Sequence, residues 1–300
     1  MKSTPLLKTS DDLQSIVSFE ISPCPSNEET STLIKKLKGL KFKPSLVGVS
    51  CHDLDACLSL AREVKANGFE VMIHIPAGTL TEFQISDALD TAQKIGLRYI
   101  LALRGDQVSD TTDFPHAANL VEFIRKKTGK YFTIAVGGYP DTHPEAESPE
   151  LDIFYLKKKV DCGADFVLSQ VVFRSESFNT FAYKCREAGI TVPIVPGILL
   201  IQDLQSLQKF ARICRVELPE TVESELSAVG DNTDDVNQWA LNFAQQLASD
   251  IFEAGTSNRA HFFTMNRVHE MQNLYNKISD SWQWPSDEGK LNRTIGTELN

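Results

Sequence analysis

Short β-branched runs alternate with helix-length segments along most of this chain, and no other feature restricts its fold as sharply. The runs are Ile16–Ile21, Leu46–Ser50, Val71–Ile75, Tyr99–Leu103, Phe132–Val136, Phe166–Val172, Pro193–Ile198 and His261–Met265. Between them, apolar positions recur at helical spacing over Asn27–Leu40, Asp53–Asn67, Thr81–Ile95, Pro115–Thr128, Pro149–Cys162, Glu176–Ala188, Asp203–Val216 and Asp234–Ala254. Strands separated by helices pair in parallel, because a parallel neighbour can be reached only through a long crossover. Local punctuation agrees. Ser26 with Glu29 has capping-box spacing, and Ser148-Pro149-Glu150 supplies a cap, a first-turn proline and an acid. Glycines at 68, 96 and 189 stand at three helix-to-strand joints. A doubly wound sheet usually has roughly five to seven strands, so eight favour a single-domain (βα)8 TIM barrel. The barrel is expected over residues 1–278. The polar, aperiodic stretch 279–300 reads as a flexible tail in which Trp282 and Trp284 offer local docking.

Composition removes several classes of function. A net charge of −10 argues against an extended nucleic-acid surface. No apolar run approaches the roughly 20 residues of a membrane span, and the first residues lack a sustained apolar signal core. The six cysteines form no CxxC pair, which points to a reduced, cytoplasmic protein. In that compartment Arg104-Gly105-Asp106 is not an adhesion sequence.

Active sites of such barrels lie at the carboxyl ends of the strands, so the residues delivered there are the candidates. They are Glu20, then Ser50 with Cys51 and His52, then His74, then Arg104 and Asp106. Tyr139 and His143 follow strand five, Gln170 ends strand six, and Thr264, Asn266 and Arg267 end strand eight. Glu20 sits inside "IVSFEIS". An unpaired carboxylate there is costly, so it is either a structural ion pair or a general acid whose pKa is raised by apolar surroundings. Asp106 has the opposite setting, with a glycine beside it and Arg104 near enough to keep it ionised. Gln170 is equally a satisfied core amide or a ligand contact. Lys157, Lys158 and Lys159 form a charge run of the kind that ordinarily faces solvent.

Other chemistries fare worse. His269-Glu270 lacks the second histidine of a zincin helix, and no histidine pair has ligand spacing, so no metal site is expected. Cys51 and His52 are adjacent and point to opposite faces, which disfavours a thiolate dyad. No GxGxxG or P-loop follows a strand. The residues alone give a barrel enzyme with a mixed-charge, proton-capable site and do not name its substrate.

Six motifs carry a resemblance: "SFEISP", "LALRGD", "GYPDTHPEA", "LKKKVDCGADFVLSQVVF", "VPIVPGI" and "HFFTMNR". In this order, from about Ile16 to about Met271, the chain resembles the catalytic domain of methylenetetrahydrofolate reductases. The resemblance implies a flavin-dependent barrel holding FAD non-covalently. NADH or NADPH reduces the flavin and leaves, and the flavin then reduces 5,10-methylenetetrahydrofolate to 5-methyltetrahydrofolate, a step of methionine biosynthesis. Glu20 would be the general acid that opens the methylene bridge. Asp106 would lie near flavin and pterin, favouring the cationic iminium. Gln170 would bind folate and nicotinamide in turn, with Arg267 and Phe263 supporting from strand eight. FAD contacts would fall to Ser50, His74, Arg104, Gly105, Asp106, Tyr139, His143, Asp152 and Lys159. The expected partners are the folate and the nicotinamide nucleotide, with no nucleic acid, no membrane and a homo-oligomeric assembly.

The chain departs from the family pattern at Ile21–Pro25, at Cys51-His52-Asp53, at Ile-Pro-Ala after His74 and at Ile-Leu-Leu after Gly197. These positions line the cofactor and folate side. The alternative expectation is therefore a non-catalytic or flavin-independent paralogue that binds folate or a partner protein.

Overall fold

The computed structural model describes residues 17–109 and 112–281. Eight parallel strands close in sequence order into a barrel: β1 (Val17–Ile21), β2 (Leu46–Val49), β3 (Val71–Pro76), β4 (Tyr99–Leu103), β5 (Thr133–Gly138), β6 (Phe166–Val171), β7 (Ile194–Leu199) and β8 (Ala260–Phe263). β1 pairs with β2 on one side and with β8 on the other. The closed (βα)8 barrel expected from the alternation is the fold.

The first six crossovers each use one helix: α1 (Asn27–Lys38), α2 (Leu54–Ala66), α3 (Glu82–Ile95), α4 (Ala117–Thr128), α5 (Pro149–Asp161) and α6 (Ser175–Glu187). Their starts follow the local chemistry. Ser26 accepts from the Glu29 amide, and Ser148 accepts from the Leu151 amide ahead of a first-turn proline. Thr81 and Gln84 form a reciprocal capping box. Gly96 closes α3 at φ +82°, and the joints at residues 68 and 189 share that sign.

The seventh crossover is larger. α7 (Leu204–Cys214) and α8 (Glu220–Val229) precede α9 (Thr233–Glu253), and α10 (Val268–Ser281) follows β8. The helical spacing read from the sequence includes neither α8 nor α10. α8 is ten residues long, starts at Pro219 without a side-chain cap and buries only Val222 and Leu226, so its periodic signal is weak. α10 buries Val268, Met271, Leu274 and Ile278, a clear helical stripe. It runs three residues past the boundary expected at 278. Ile16 and residues 282–300 of the expected tail, Trp282 and Trp284 among them, lie outside the described residues. No helix among the described residues is long and apolar enough to cross a membrane.

Two apolar layers hold the barrel. Outward-facing strand residues such as Val17, Phe19, Ile21, Val47 and Ile73 pack under the helices. Leu46, Met72, Leu101, Ala135, Phe166, Leu168 and Val195 form a separate cluster in the interior. α7 and α8 pack on a third cluster with Val171, Phe173, Leu199 and Ile201 at the ends of β6 and β7. This helical excursion therefore sits over one side of the barrel mouth.

Candidate active site

Alternation along β1 determines where its acid goes. Val17, Phe19 and Ile21 belong to the layer under the helices, so Ser18 and Glu20 point into the barrel. The Glu20 side chain is 21% exposed, and burial pushes its carboxyl up to about 8. His74 Nδ1 on β3 lies 3.7 Å from Glu20 Oε2. Burial holds this imidazole down at about 3. At neutral pH the contact therefore joins two uncharged groups and is not an ion pair. Thr264 Oγ1 donates to the Glu20 backbone carbonyl at 2.5 Å, fixing the strand at that level.

At the end of β4 the chain turns through Gly105 at φ +87°, where an added Cβ would meet Pro76 Cβ at 3.0 Å. The expected Arg104–Asp106 partnership is not what forms. Arg104 Nη1 pairs with Glu145 Oε2 at 2.7 Å, and its Nε donates to the Gly105 carbonyl. The left-handed turn carries Asp106 to the exposed rim, while the loop between β5 and α5 presents Glu145 to the guanidinium. That hydrogen bond holds the Glu145 carboxyl below its ordinary range. Arg215, in the left-handed C-cap of α7, reaches the same carboxylate at 3.4 Å. Glu145 thus ties the end of β4 to the helical excursion after β7.

The β5 side is built from Tyr139, His143, Asp152 and Lys159. Tyr139 and His143 meet edge to face with centroids 4.5 Å apart. The His143 amide donates to Asp152 Oδ2 at 3.0 Å, and His143 Nδ1 accepts from the Glu145 amide at 3.0 Å. The neutral ring therefore carries its proton on Nε2. Burial raises the Tyr139 phenol to about 12 and lifts the Asp152 carboxyl above its ordinary value. Lys159 lies two turns beyond Asp152 on the same face of α5 and donates to the Gly137 carbonyl at 2.6 Å. Burial lowers its ammonium to about 8. Among the described residues no carboxylate forms an ion pair with it. Lys157 pairs with Asp161, and Lys158 is exposed, so Lys159 alone of the run turns inward.

Gln170 sits where β6 slips register against β7 between Leu168 and Val171, and its Oε1 accepts from the Val171 amide at 2.8 Å. A bulge of this kind re-aims a side chain at a barrel rim. Ser50 Oγ lies 2.6 Å from Ser22 Oγ. Asn266, at φ +62°, clamps the backbone of Ser22 from both sides. Arg267 is engaged structurally. Its guanidinium donates to the Ile201 carbonyl at 2.9 Å and to Asn237 Oδ1 at 2.6 Å, with Glu270 at 3.7 Å, bracing the end of β7 against α9. Phe263 packs where β7 passes through Gly197.

Two residues of this site escaped the sequence reading. Glu145 was visible only as a member of "GYPDTHPEA", with nothing local to pair it with Arg104. His261 was counted as a strand residue, although an ionisable group inside "AHFF" is the same signal that marked Glu20.

A family model described as methylenetetrahydrofolate reductase matches residues 6–279. The chain belongs to the methylenetetrahydrofolate reductase family. A relative from Caenorhabditis elegans, a probable methylenetetrahydrofolate reductase (NADPH), is 33% identical over 73% of this chain and 34% of its own length. The Zea mays methylenetetrahydrofolate reductase (NADH) 1 is 30% identical over 87% of this chain and 48% of its own. The chain thus spans half or less of those two reductases. It covers 86% of the 5,10-methylenetetrahydrofolate reductase of Escherichia coli at 31% identity. Among solved structures, an uncharacterised Clostridium thermocellum protein that binds two copies of 5-methyl-5,6,7,8-tetrahydrofolic acid superposes with a TM-score of 0.62. It covers 88% of this chain and 94% of its own at 14% identity, a likeness of fold.

Proposed function

We propose that this member of the methylenetetrahydrofolate reductase family reduces 5,10-methylenetetrahydrofolate to 5-methyltetrahydrofolate, with FAD as redox carrier and NADH or NADPH as donor. The observation that carries the reading is Glu20, a carboxyl kept protonated near neutral pH at the mouth of the barrel. Opening a methylene bridge between two nitrogens requires a proton on the departing nitrogen, and a carboxylic acid titrating near 8 still holds one at pH 7.

The residues present fit a flavin nucleotide. Lys159 is a half-buried cation whose hydrogen-bond partner is a neutral carbonyl, a setting that an anionic phosphate would complete. Arg104 offers a guanidinium at the rim, at present neutralised by Glu145. Gly105 lets the backbone come close, and Tyr139, His143, Asp152 and Ser50 supply further polar contacts along the same arc. A bound flavin would supply the two-electron chemistry that links the nicotinamide to the folate.

In this reading Glu20 delivers its proton to the bridge nitrogen, and the carbon becomes an iminium ready for hydride. The exposed Asp106 carboxylate favours that cation from the rim. Gln170 presents an amide able to donate and accept toward the pterin or the nicotinamide in turn. Arg267 holds the end of β7 in place. A cytoplasmic setting and a homo-oligomeric assembly complete the proposal.

The test is a visible spectrum of purified protein with added FAD, titrated anaerobically with NADH and then with methylenetetrahydrofolate. A flavin band that bleaches with NADH and returns with folate is the expected result. No flavin binding, or a bleached band that folate does not restore, overturns it.

A further inference from the structure

Arg104, Gly105 and Asp106 stand on a segment without regular secondary structure, so its position has to be set from outside. Residues 104–109 leave β4 at the barrel mouth, with Asp106, Gln107 and Val108 exposed. The positive φ of Gly105 admits many paths for such a turn. The Arg104–Glu145 pair is partly exposed and holds it weakly. The turn rests instead on the connection between β3 and α3. There a single 3₁₀ turn, Ala77–Thr79, buries Ala77 and Gly78. The Gly78 amide donates to the Arg104 carbonyl at 2.6 Å, and the Gly78 carbonyl accepts from the Ser109 amide at 2.8 Å. One residue thus grips the turn where it starts and where it ends. Its neighbour adds a third tie, the Ala77 carbonyl accepting from the Thr112 hydroxyl at 3.3 Å. The approach is too close for a side chain. A Cβ built on Gly78 would stand 2.5 Å from the Gln107 carbonyl oxygen and 2.7 Å from that of Arg104. Both are backbone atoms, so neither can swing aside. From the other side, a Cβ on Gly105 would meet Pro76 Cβ at 3.0 Å.

We infer that Gly78 is the positioning residue of the Arg104–Gly105–Asp106 turn, fixing where the guanidinium and the carboxylate stand at the mouth of the barrel. Donor and acceptor of one residue catch both ends of the segment, which opposes sliding along the chain as well as lifting away from it. The missing side chain is what permits this. Any Cβ at position 78 drives the Gln107 carbonyl back by roughly 1 Å before an ordinary C···O separation of about 3.3–3.6 Å is reached. A displacement of that size at groups that position a substrate costs on the order of 100-fold in rate. The run Ile75-Pro76-Ala77, one of the departures from the family pattern, leads directly into this support. Gly78 supplies no reacting group and acts through Arg104 and Asp106. That the turn serves flavin and folate rests on the functional reading above, whereas the grip of Gly78 on the turn is a property of the protein alone.

The first arm of the test needs no cofactor. Amide hydrogen exchange, read residue by residue by NMR, should be slow at Gly78 and Ser109 although they border an exposed turn. Gly78→Ala should speed exchange at Ser109 by about 10-fold or more, the worth of one hydrogen bond. Free exchange at both amides of the unmodified protein overturns the proposal, and so does unchanged protection of Ser109 in the variant. The second arm is FAD affinity by flavin fluorescence, with Gly68→Ala as control. Gly68 lies at the joint entering β3, at φ +87° with open space around it, so its variant carries a backbone penalty without touching the turn. Gly78→Ala should weaken FAD binding by about 10-fold or more, as loss of a charge-assisted hydrogen bond from Arg104 does, and Gly68→Ala should leave it unchanged. Equal affinities in the two variants overturn the positioning role. If the unmodified protein binds no FAD, the functional reading fails and the exchange arm decides alone. Should Gly78→Ala fail to fold, exchange at Gly78 and Ser109 in the unmodified protein still decides.

Discussion

Glu20→Gln should change how the stability of this barrel responds to pH, and the size of the change follows from burial. In the unfolded chain Glu20 titrates at its ordinary 4.5, and in the folded barrel at about 8. Between those values the native state binds a proton that the unfolded state has released, so folding loses stability as pH rises. The contribution is fully present below 4.5 and gone above 8. From pH 5.5 to the folded pKa there are about two and a half pH units at roughly 1.4 kcal/mol each. Wild type should therefore lose about 3 kcal/mol relative to Glu20→Gln on moving to pH 9. Gln is close in shape and stays neutral, so it keeps the packing and removes the titration. Other groups cancel in the comparison, including Lys159, whose ammonium also titrates near 8. Urea unfolding of both proteins at pH 5.5 and 9, read as the difference of differences, is the assay. Two stability curves that stay parallel from pH 5.5 to 9 would refute the claim that Glu20 is protonated in the fold. That result would also remove the observation on which the proposed acid step stands.

Three further outcomes follow from the rim. Lys159→Met should weaken FAD binding by roughly 10- to 100-fold, the worth of a charge-assisted hydrogen bond, as measured by quenching of flavin fluorescence; unchanged affinity would place the phosphates elsewhere. Gly105→Ala should lower stability by at least about 1 kcal/mol, because its φ of +87° and the 3.0 Å approach to Pro76 both oppose a Cβ, and a shifted urea midpoint reports it. Glu145→Gln should tighten FAD binding by a few-fold, since it frees Arg104 from a partly exposed ion pair worth less than about 1 kcal/mol; weaker binding in the same titration would show that Glu145 is itself a ligand contact.

Much of this arrangement is legible in the sequence because it is local. The capping residues before α1 and α5, the glycine joints and the alternation in "VSFEI" each report a backbone or facial preference that does not depend on distant residues. Glu20 could be picked out because a carboxyl among Val17, Phe19 and Ile21 is expensive wherever the strand ends up. The contacts that escaped are long-range. Arg104 and Glu145 are forty-one positions apart, and sequence proximity favoured Asp106, which the Gly105 turn carries away from the guanidinium. Arg267 looked like a ligand contact at a strand end, yet its partners Ile201 and Asn237 belong to a crossover whose three-helix form is fixed by tertiary packing. α8 was hidden because a short acidic segment with two buried residues lacks a periodic signature.

The site separates its two electrostatic tasks by height. At the rim stand the cations that the proposed function assigns to a nucleotide: Arg104, partly exposed and paired with Glu145, and Lys159, whose ammonium is lowered by burial and still able to charge. One level down, inside the barrel, no formal charge is held at neutral pH, because Glu20, His74 and His261 are all driven to their neutral forms. Filling those positions with aliphatic residues would relieve buried polar groups that each cost about 1–3 kcal/mol when unpartnered. A barrel core selected for stability alone would do so, as the Leu46, Met72 and Leu101 side of this interior does. The polar side lies directly under the acid. A carboxyl raised by burial and still 21% exposed at the barrel mouth keeps its proton where a bound substrate could reach it.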